Sequence, residues 1–186
     1  MEVLLAQWNG LQVCLSHQFS GEMLSPILEN LLDKARTGWD DYDEVFHCCQ
    51  LIQAVAQDPD LHMDFHTLRH SGQTVGLGLM TAGKVNCPLF FPKGLAPTDP
   101  ESSVLLFNYF HISPTARGVG EQWLREILLP HYAQQGFHAV YVKSSHPKVF
   151  SLYSRLGDAV GHYSTPSDNG LFVRSGTLFR IPLSSF

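Results

Sequence analysis

A chain of 186 residues, 44% hydrophobic and 16% charged, can bury a substantial core within one domain and is neither disordered nor fibrous in composition. Its formal net charge of −5, with no Lys/Arg cluster, argues against a nucleic-acid binder, and no apolar run approaches the roughly 18 residues of a membrane span. The four cysteines lack metal-ligand spacing, and the start "MEVLLAQWNGLQ" has an acid and no basic n-region; a reducing, cytoplasmic setting is expected.

In chain order, "LQVCLSHQ" has the pattern of a first strand. "GEMLSPILENLLDKARTG" places Met23, Leu24, Ile27, Leu28, Leu31 and Leu32 at helical spacing, with Gly38 as its stop. "DYDEVFHCCQLIQAVAQDPD" is a second helix, with acids at its dipole-positive start and Pro59 past its end. Cys48 and Cys49 are expected there as small buried residues. Two strands, 61 to 69 and 73 to 82, flank His70-Ser71-Gly72. The Pro-rich stretch 83–102 is too long for an idle hairpin connection and either lines a pocket or forms a contact between copies. A strand–turn–helix unit spans 103 to 136. "HAVYVKSS" then gives a buried strand, "PKVFSLYSRLG" a short helix with Pro147 near its start, and "AVGHYS" and "GTLFRIPL" two closing strands.

The order β-α-α-β-β-β-α-β-α-β-β predicts a single α/β (α+β) domain over 1–186, a mixed sheet with helices on both faces. Ten histidines raise the question of a metal. His62, His66 and His70 would align on a helix, but their segment alternates like a strand. There they would share a face, with successive members about 13 Å apart. No metal is expected.

The informative stretch is "SPTARGVGEQWL", residues 113 to 124, where a strand hands over to a helix. A helix start carries unpaired N–H groups and partial positive charge, and glycines let an anion come close. No G-x-x-x-x-G-K-[ST] is present. The glycines of "TVGLGLMTAG" lie inside a strand, so neither a nucleoside-triphosphate loop nor a dinucleotide fingerprint is supported.

About 30 residues later stands "SSHPKVFSLYSRLG". Together the two segments resemble the GCN5-related N-acetyltransferase (GNAT) family, with its glycine turn R/Q-x-x-G-x-G/A opening a helix and its later N-x-x-A-x-x-x-Y-x-x-x-G. Gly118 and Gly120 resemble the final pair of the turn, with Val119, Trp123 and Ile127 as the stripe that packs the helix. Tyr153 resembles the family's helix tyrosine. Thr115 then stands where the family has Arg or Gln. Placing Arg117 at that position instead would put Gln122 in the last glycine's place. His146 replaces the usual asparagine, and Asn108 falls where many members carry an acidic base.

The resemblance implies a mostly antiparallel GNAT-like sheet, acetyl-CoA as donor, and the primary amine of a small molecule or peptide as acceptor. The cradle would comprise Thr115, Ala116, Arg117, Gly118, Val119 and Gly120, with His146 and Tyr153 also on the cofactor. A strand-end N–H near Ile112 would steady the oxyanion. Tyr153 is the candidate acid for the departing thiolate, and His111 and Asn108 the named candidates for the base. On a regular strand those two point to opposite faces, unless a bulge intervenes. A water relay or an acid from the "DDYDE" run are further options. Trp39, Asp41 and Tyr42, beside Asp40, Asp43 and Glu44, are placed to meet a cationic amine. A homodimer is compatible with this reading. The alternative is a catalytically silent acyl-CoA-binding regulatory module, motivated by Asn108.

Overall fold

The structure is a computed structural model that describes residues 2–38 and 41–186. Among the described residues eight strands form one sheet in the order β1-β2-β3-β4-β5-β6-β8-β7. They are β1 (Glu2–Trp8), β2 (Leu11–Ser16), β3 (Leu61–His70), β4 (Gln73–Gly83), β5 (Val104–Ile112), β6 (Ala139–Ser144), β7 (Asp158–Pro166) and β8 (Val173–Pro182). Every neighbouring pair is antiparallel except β5 and β6. This is the mixed, mostly antiparallel sheet that the sequence implies, with one strand more at its start.

The extra strand, β1, follows from Asn9-Gly10, both at positive φ (49° and 76°). That dipeptide in a two-residue turn matches the twist of an antiparallel hairpin. Ser71-Gly72 does the same work between β3 and β4, at φ 50° and 81°.

Helix α1 (Ser25–Thr37) ends at Gly38. In α2 (Glu44–Gln57) the Asp43 carboxylate accepts from the Phe46 N–H at 3.0 Å, satisfying a first-turn donor. Of the adjacent cysteines of α2, Cys48 is buried and Cys49 exposed, so the expectation that both are buried fails at Cys49. Residues 100° apart on a helix cannot both face the sheet. The next helical run joins α3 (Gly120–Trp123), a π-type turn (Leu124–Leu128) and α4 (Leu129–Gln134). The wide turn precedes Pro130, which has no N–H to give to a regular ladder. Last comes α5 (Phe150–Leu156).

Both faces of the sheet are covered. Beneath α1, α2 and residues 84–103 lie Ile27, Cys48, Phe65, Leu79 and Tyr141. Beneath α3, α4 and α5 lie Leu68, Met80, Phe107, Trp123, Leu128 and Phe179. Among the described residues no helix is long and apolar enough to cross a membrane.

Candidate functional site

Strands β5 and β6 pair only over Val104–Phe107 against Ala139–Val142. Beyond that they part, β5 continuing along β4 to Ile112 and β6 along β8 to Ser144. A bulge marks the parting: Leu79 is opposite Tyr109 and Met80 opposite Phe107, so Asn108 is an extra residue. A bulge of this kind bends its strand and leaves one backbone unit unpaired. The wedge opens into a cleft of about 1100 Å³.

The bulge resolves the parity problem of β5, because both Asn108 and His111 line the cleft. Their chemistry differs. The Asn108 amide donates to the Thr81 hydroxyl at 2.6 Å, and a carboxamide takes no proton near neutral pH. Asn108 as a base is therefore corrected: its side-chain amide is held on Thr81 and carries no basic nitrogen. His111 is half-buried, and burial pulls its pKa below the usual value; Lys34 and His146 add to this and Glu44 opposes it. Its imidazole is neutral at pH 7 and able to accept a proton.

Tyr153 lines the opposite wall, its ring buried and tilted against Phe179 at 5.5 Å. Burial pushes the phenol well above its ordinary pKa, so it stays protonated. Its hydroxyl has no protein hydrogen bond among the described residues. His146, exposed at the cleft rim, starts the turn Pro147–Val149, with its N–H on the Ser144 hydroxyl at 3.2 Å.

The glycine turn divides into two functions. Gly118 has φ 98°, and a Cβ added there would meet open space. Only its backbone conformation calls for glycine, and the space is free for a ligand. Gly120 differs: an added Cβ would lie 3.1 Å from the Phe110 ring and 3.4 Å from Ile112. A methyl there would press on the Phe110 ring, so glycine lets α3 pack closely on β5. Arg117 is exposed and its Nη2 donates to Asp33 Oδ2 at 2.6 Å, which ties the turn to α1. Thr115 is exposed, while Ala116 and Val119 pack against the core. Ile112 lies outside the cleft lining. Its side chain meets Gly76 and its carbonyl accepts from Asn30 Nδ2 at 2.9 Å.

At the other end of the cleft stands a polar group from α1, α2 and β5. Lys34 Nζ donates to Glu44 Oε1 at 2.7 Å, and Glu44 Oε2 is buried without a hydrogen-bond partner among the described residues. Tyr42 reaches Tyr109, hydroxyl to hydroxyl, at 3.2 Å and stacks on His47 at 4.7 Å. Of the expected acceptor residues, Tyr42 lines the cleft, and Trp39 lies outside the described residues. Asp41 is taken up otherwise: its carboxylate accepts from the Arg174 guanidinium and from the Asn169 N–H, 2.8 Å away. It pins the β7–β8 loop. The acid of that run best placed for a ligand is Glu44.

Residues 84–103 form the third wall. Phe90 and Phe91 are only 5% and 6% exposed, and Lys143 Nζ donates to the Phe90 carbonyl at 2.6 Å. Asp99 accepts from Tyr141 at 2.6 Å and from both Nε and Nη2 of Arg180 at 2.7 Å, anchoring the segment to β6 and β8. Of this segment, residues 88–92 line the cleft.

No family model and no curated relative matches the sequence. Solved structures do. The phosphinothricin acetyltransferase of Sinorhizobium meliloti, a GNAT protein in complex with AcCoA, superposes with a TM-score of 0.55 at 13% identity, covering 91% of this chain and 88% of that one. A spermidine N-acetyltransferase chimera from Vibrio cholerae and hSSAT gives 0.55 at 16%, covering 93% and 96%. The ribosomal-protein-S18-alanine N-acetyltransferase of Escherichia coli gives 0.53 at 12%, covering 92% and 94%. The chain has the fold of the GNAT acetyltransferases.

Proposed function

We propose that this chain, built on the GNAT acetyltransferase fold, transfers the acetyl group of acetyl-CoA to a primary amine of a small molecule or peptide. One observation carries the reading: the splayed β5–β6 wedge opens at a bulge and holds a neutral imidazole on one wall and a protonated phenol on the other.

In this reading the amine nitrogen attacks the thioester carbonyl carbon and the C–S bond breaks. His111 receives the amine's proton. A backbone N–H at the β5 bulge is the donor assigned to the carbonyl oxygen as it becomes negative. Tyr153 returns a proton to the departing sulfur. The cradle for the pyrophosphate is the backbone around Gly118 and the start of the α3–α4 run, with Val119 and Ala116 holding it to the core and Gly120 fixing the helix on β5. Thr115 and Arg117 border it from the solvent side, and His146 faces the pantetheine arm.

On the acceptor side, the unpartnered Glu44 oxygen supports an amine, because a buried carboxylate oxygen lacking a donor is costly unless a ligand supplies one. Tyr42, His47 and Tyr109 shape this end. Among the solved neighbours, one is a spermidine and one a ribosomal-protein-alanine acetyltransferase; the proposed acceptor class, a primary amine, spans both. A cytoplasmic location belongs to the same reading. So does a homodimer through the exposed tip Leu171, Phe172 and Val173.

The test is release of free CoA thiol from acetyl-CoA across polyamines, amino acids, aminoglycosides and peptides with free N-termini. Turnover on an amine, abolished in the His111→Ala, Tyr153→Phe double variant, is expected. Tight acetyl-CoA binding without turnover on any amine would instead make the chain a silent acyl-CoA-binding module.

A further inference from the structure

A second cluster of chemistry-bearing side chains lies away from the cleft, where β2 ends and β3 begins. His62, Asp64 and His66 alternate along β3, so all three face the same side of the sheet. The register that sets Ser16 opposite Phe65 brings His17, the next residue, beside Asp64. His17 Nδ1 and His62 Nε2 each lie 2.7 Å from the same oxygen, Asp64 Oδ1. The three donor atoms fall within 4.8 Å of one another.

The support behind this cluster is built into the core. Asp64 Oδ2 accepts from the Tyr132 hydroxyl at 2.7 Å, and that hydroxyl lies 2.7 Å from His66 Nε2. Tyr132 is 1% exposed and His66 fully buried, so the carboxylate is oriented from behind by a rigid relay. In front, the His17 and His62 side chains are each 55% exposed, against 9% for Asp64. Two imidazoles and a carboxylate, with outer hydrogen bonds fixing the carboxylate and solvent at the open positions, form a donor set that suits a borderline divalent transition metal. An ion roughly 2.0–2.2 Å from each donor would hold them about 3.3 Å apart, which needs side-chain shifts of only about 1 Å or less.

We propose that His17, His62 and Asp64 bind one Zn²⁺-class ion per chain, clipping the end of β2 to the start of β3. The proposal departs from the expectation, drawn from His62, His66 and His70, that no metal is bound. The strand spacing of His62, His66 and His70 does keep those three apart. The site instead recruits His17, 47 positions from Asp64, and an aspartate between two of the histidines. It is independent of acetyl transfer.

The experiment is calorimetric titration of chelator-stripped protein with Zn²⁺, with the visible absorption of Co²⁺ as a second readout. One ion per chain is expected, with a Co²⁺ spectrum of fewer than six ligands. Loss of a direct ligand, in His17→Ala or His62→Ala, should weaken binding by about 100-fold or more. Tyr132→Phe should weaken it about 10- to 100-fold with the stoichiometry kept. Asp64 sits in the buried relay, so the two exposed imidazoles carry the test should its Asn variant fail to fold. Cys49→Ser, at an exposed thiol elsewhere, should leave binding unchanged. Equal Zn²⁺ affinity in the His17→Ala, His62→Ala double variant would overturn the proposal, as would no binding tighter than millimolar in the unaltered protein.

Discussion

Lys34 Nζ sits 2.7 Å from one oxygen of Glu44, and the other oxygen is buried facing no donor among the described residues. Half of this carboxylate is neutralised from within and half is left for something from outside. Glu44→Gln should therefore raise the KM for an accepted amine about 10-fold, the worth of one hydrogen bond to a charged group. The KM for acetyl-CoA should not move. Lys34→Met leaves the carboxylate uncompensated and should destabilise the fold by about 3 kcal/mol in urea unfolding, the low end for a severed buried pair.

Tyr153→Phe should lower kcat by about 10²-fold, with acetyl-CoA affinity intact, because the hydroxyl acts only as the thiolate leaves. No protein group among the described residues bonds that hydroxyl, so the variant loses no internal hydrogen bond. Its melting temperature should match that of the unaltered protein. An unchanged kcat would remove Tyr153 from the mechanism.

His111 sets the acid side of the pH profile. Burial lowers its pKa below 6.5, so the base stays neutral through pH 7 and loads a proton only below 6.5. The acid limb of kcat/KM should fall below that pH, and His111→Gln should flatten it along with most of the rate. A limb above pH 7 would assign the base elsewhere.

The two glycines of the turn should respond differently. Gly118→Ala puts a side chain at φ 98°, at a cost of roughly 1–2 kcal/mol, and should weaken CoA binding by distorting the cradle. Gly120→Ala pushes a methyl at Phe110 and should cost about 1–3 kcal/mol by overpacking. Its effect on CoA affinity should be small where the fold persists. Thermal melts with and without CoA separate the two.

Asp99 makes the wall formed by residues 84–103 acid-sensitive. Its hydrogen bonds from Arg180 hold the carboxyl down at about 2, against an ordinary 3.8. A depressed carboxyl contributes stability above its unfolded pKa, and that contribution is lost as pH falls from about 4 through about 2. Pepsin cleavage near Leu89–Phe90 should rise over this window. Asp99→Asn should already be cleaved at pH 4.

Much of the architecture was legible because it rests on local signals: helical spacing in 21–38, the acids at the start of α2, the Gly72 turn and the strand-to-glycine handover at 113–120. The missed strand β1 had its signal in Asn9-Gly10, a hairpin dipeptide that the apolar run alone did not reveal. The candidate site drew on the sequence where it lies on the motif segments, at Tyr153 and Gly118, whose roles remain proposals. It was not legible where tertiary pairing decides. The bulge at Asn108 appears only in the register of β4 against β5. The withdrawal of Asp41 to Arg174 and the selection of Glu44 depend on contacts across more than a hundred residues in the first case and on burial in the second. The role of Gly120 as a packing residue likewise needs Phe110 from the strand before it.

The position of β8 bears on synthesis. It lies between β6 and β7 in the sheet, yet comes last of the strands in the chain. A nascent polypeptide ending before Val173 has the glycine turn and Tyr153 already made, while the β6 edge has no antiparallel neighbour and the cleft lacks its lining from Val173, Arg174, Ser175 and Leu178. Such an edge, flanked by Tyr141 and Val142, is a template for pairing with another chain. The wall that carries Tyr153 through its contact with Phe179 is therefore completed from the C-terminal side, and translational stalling upstream of β8 yields an aggregation-prone chain with no cleft.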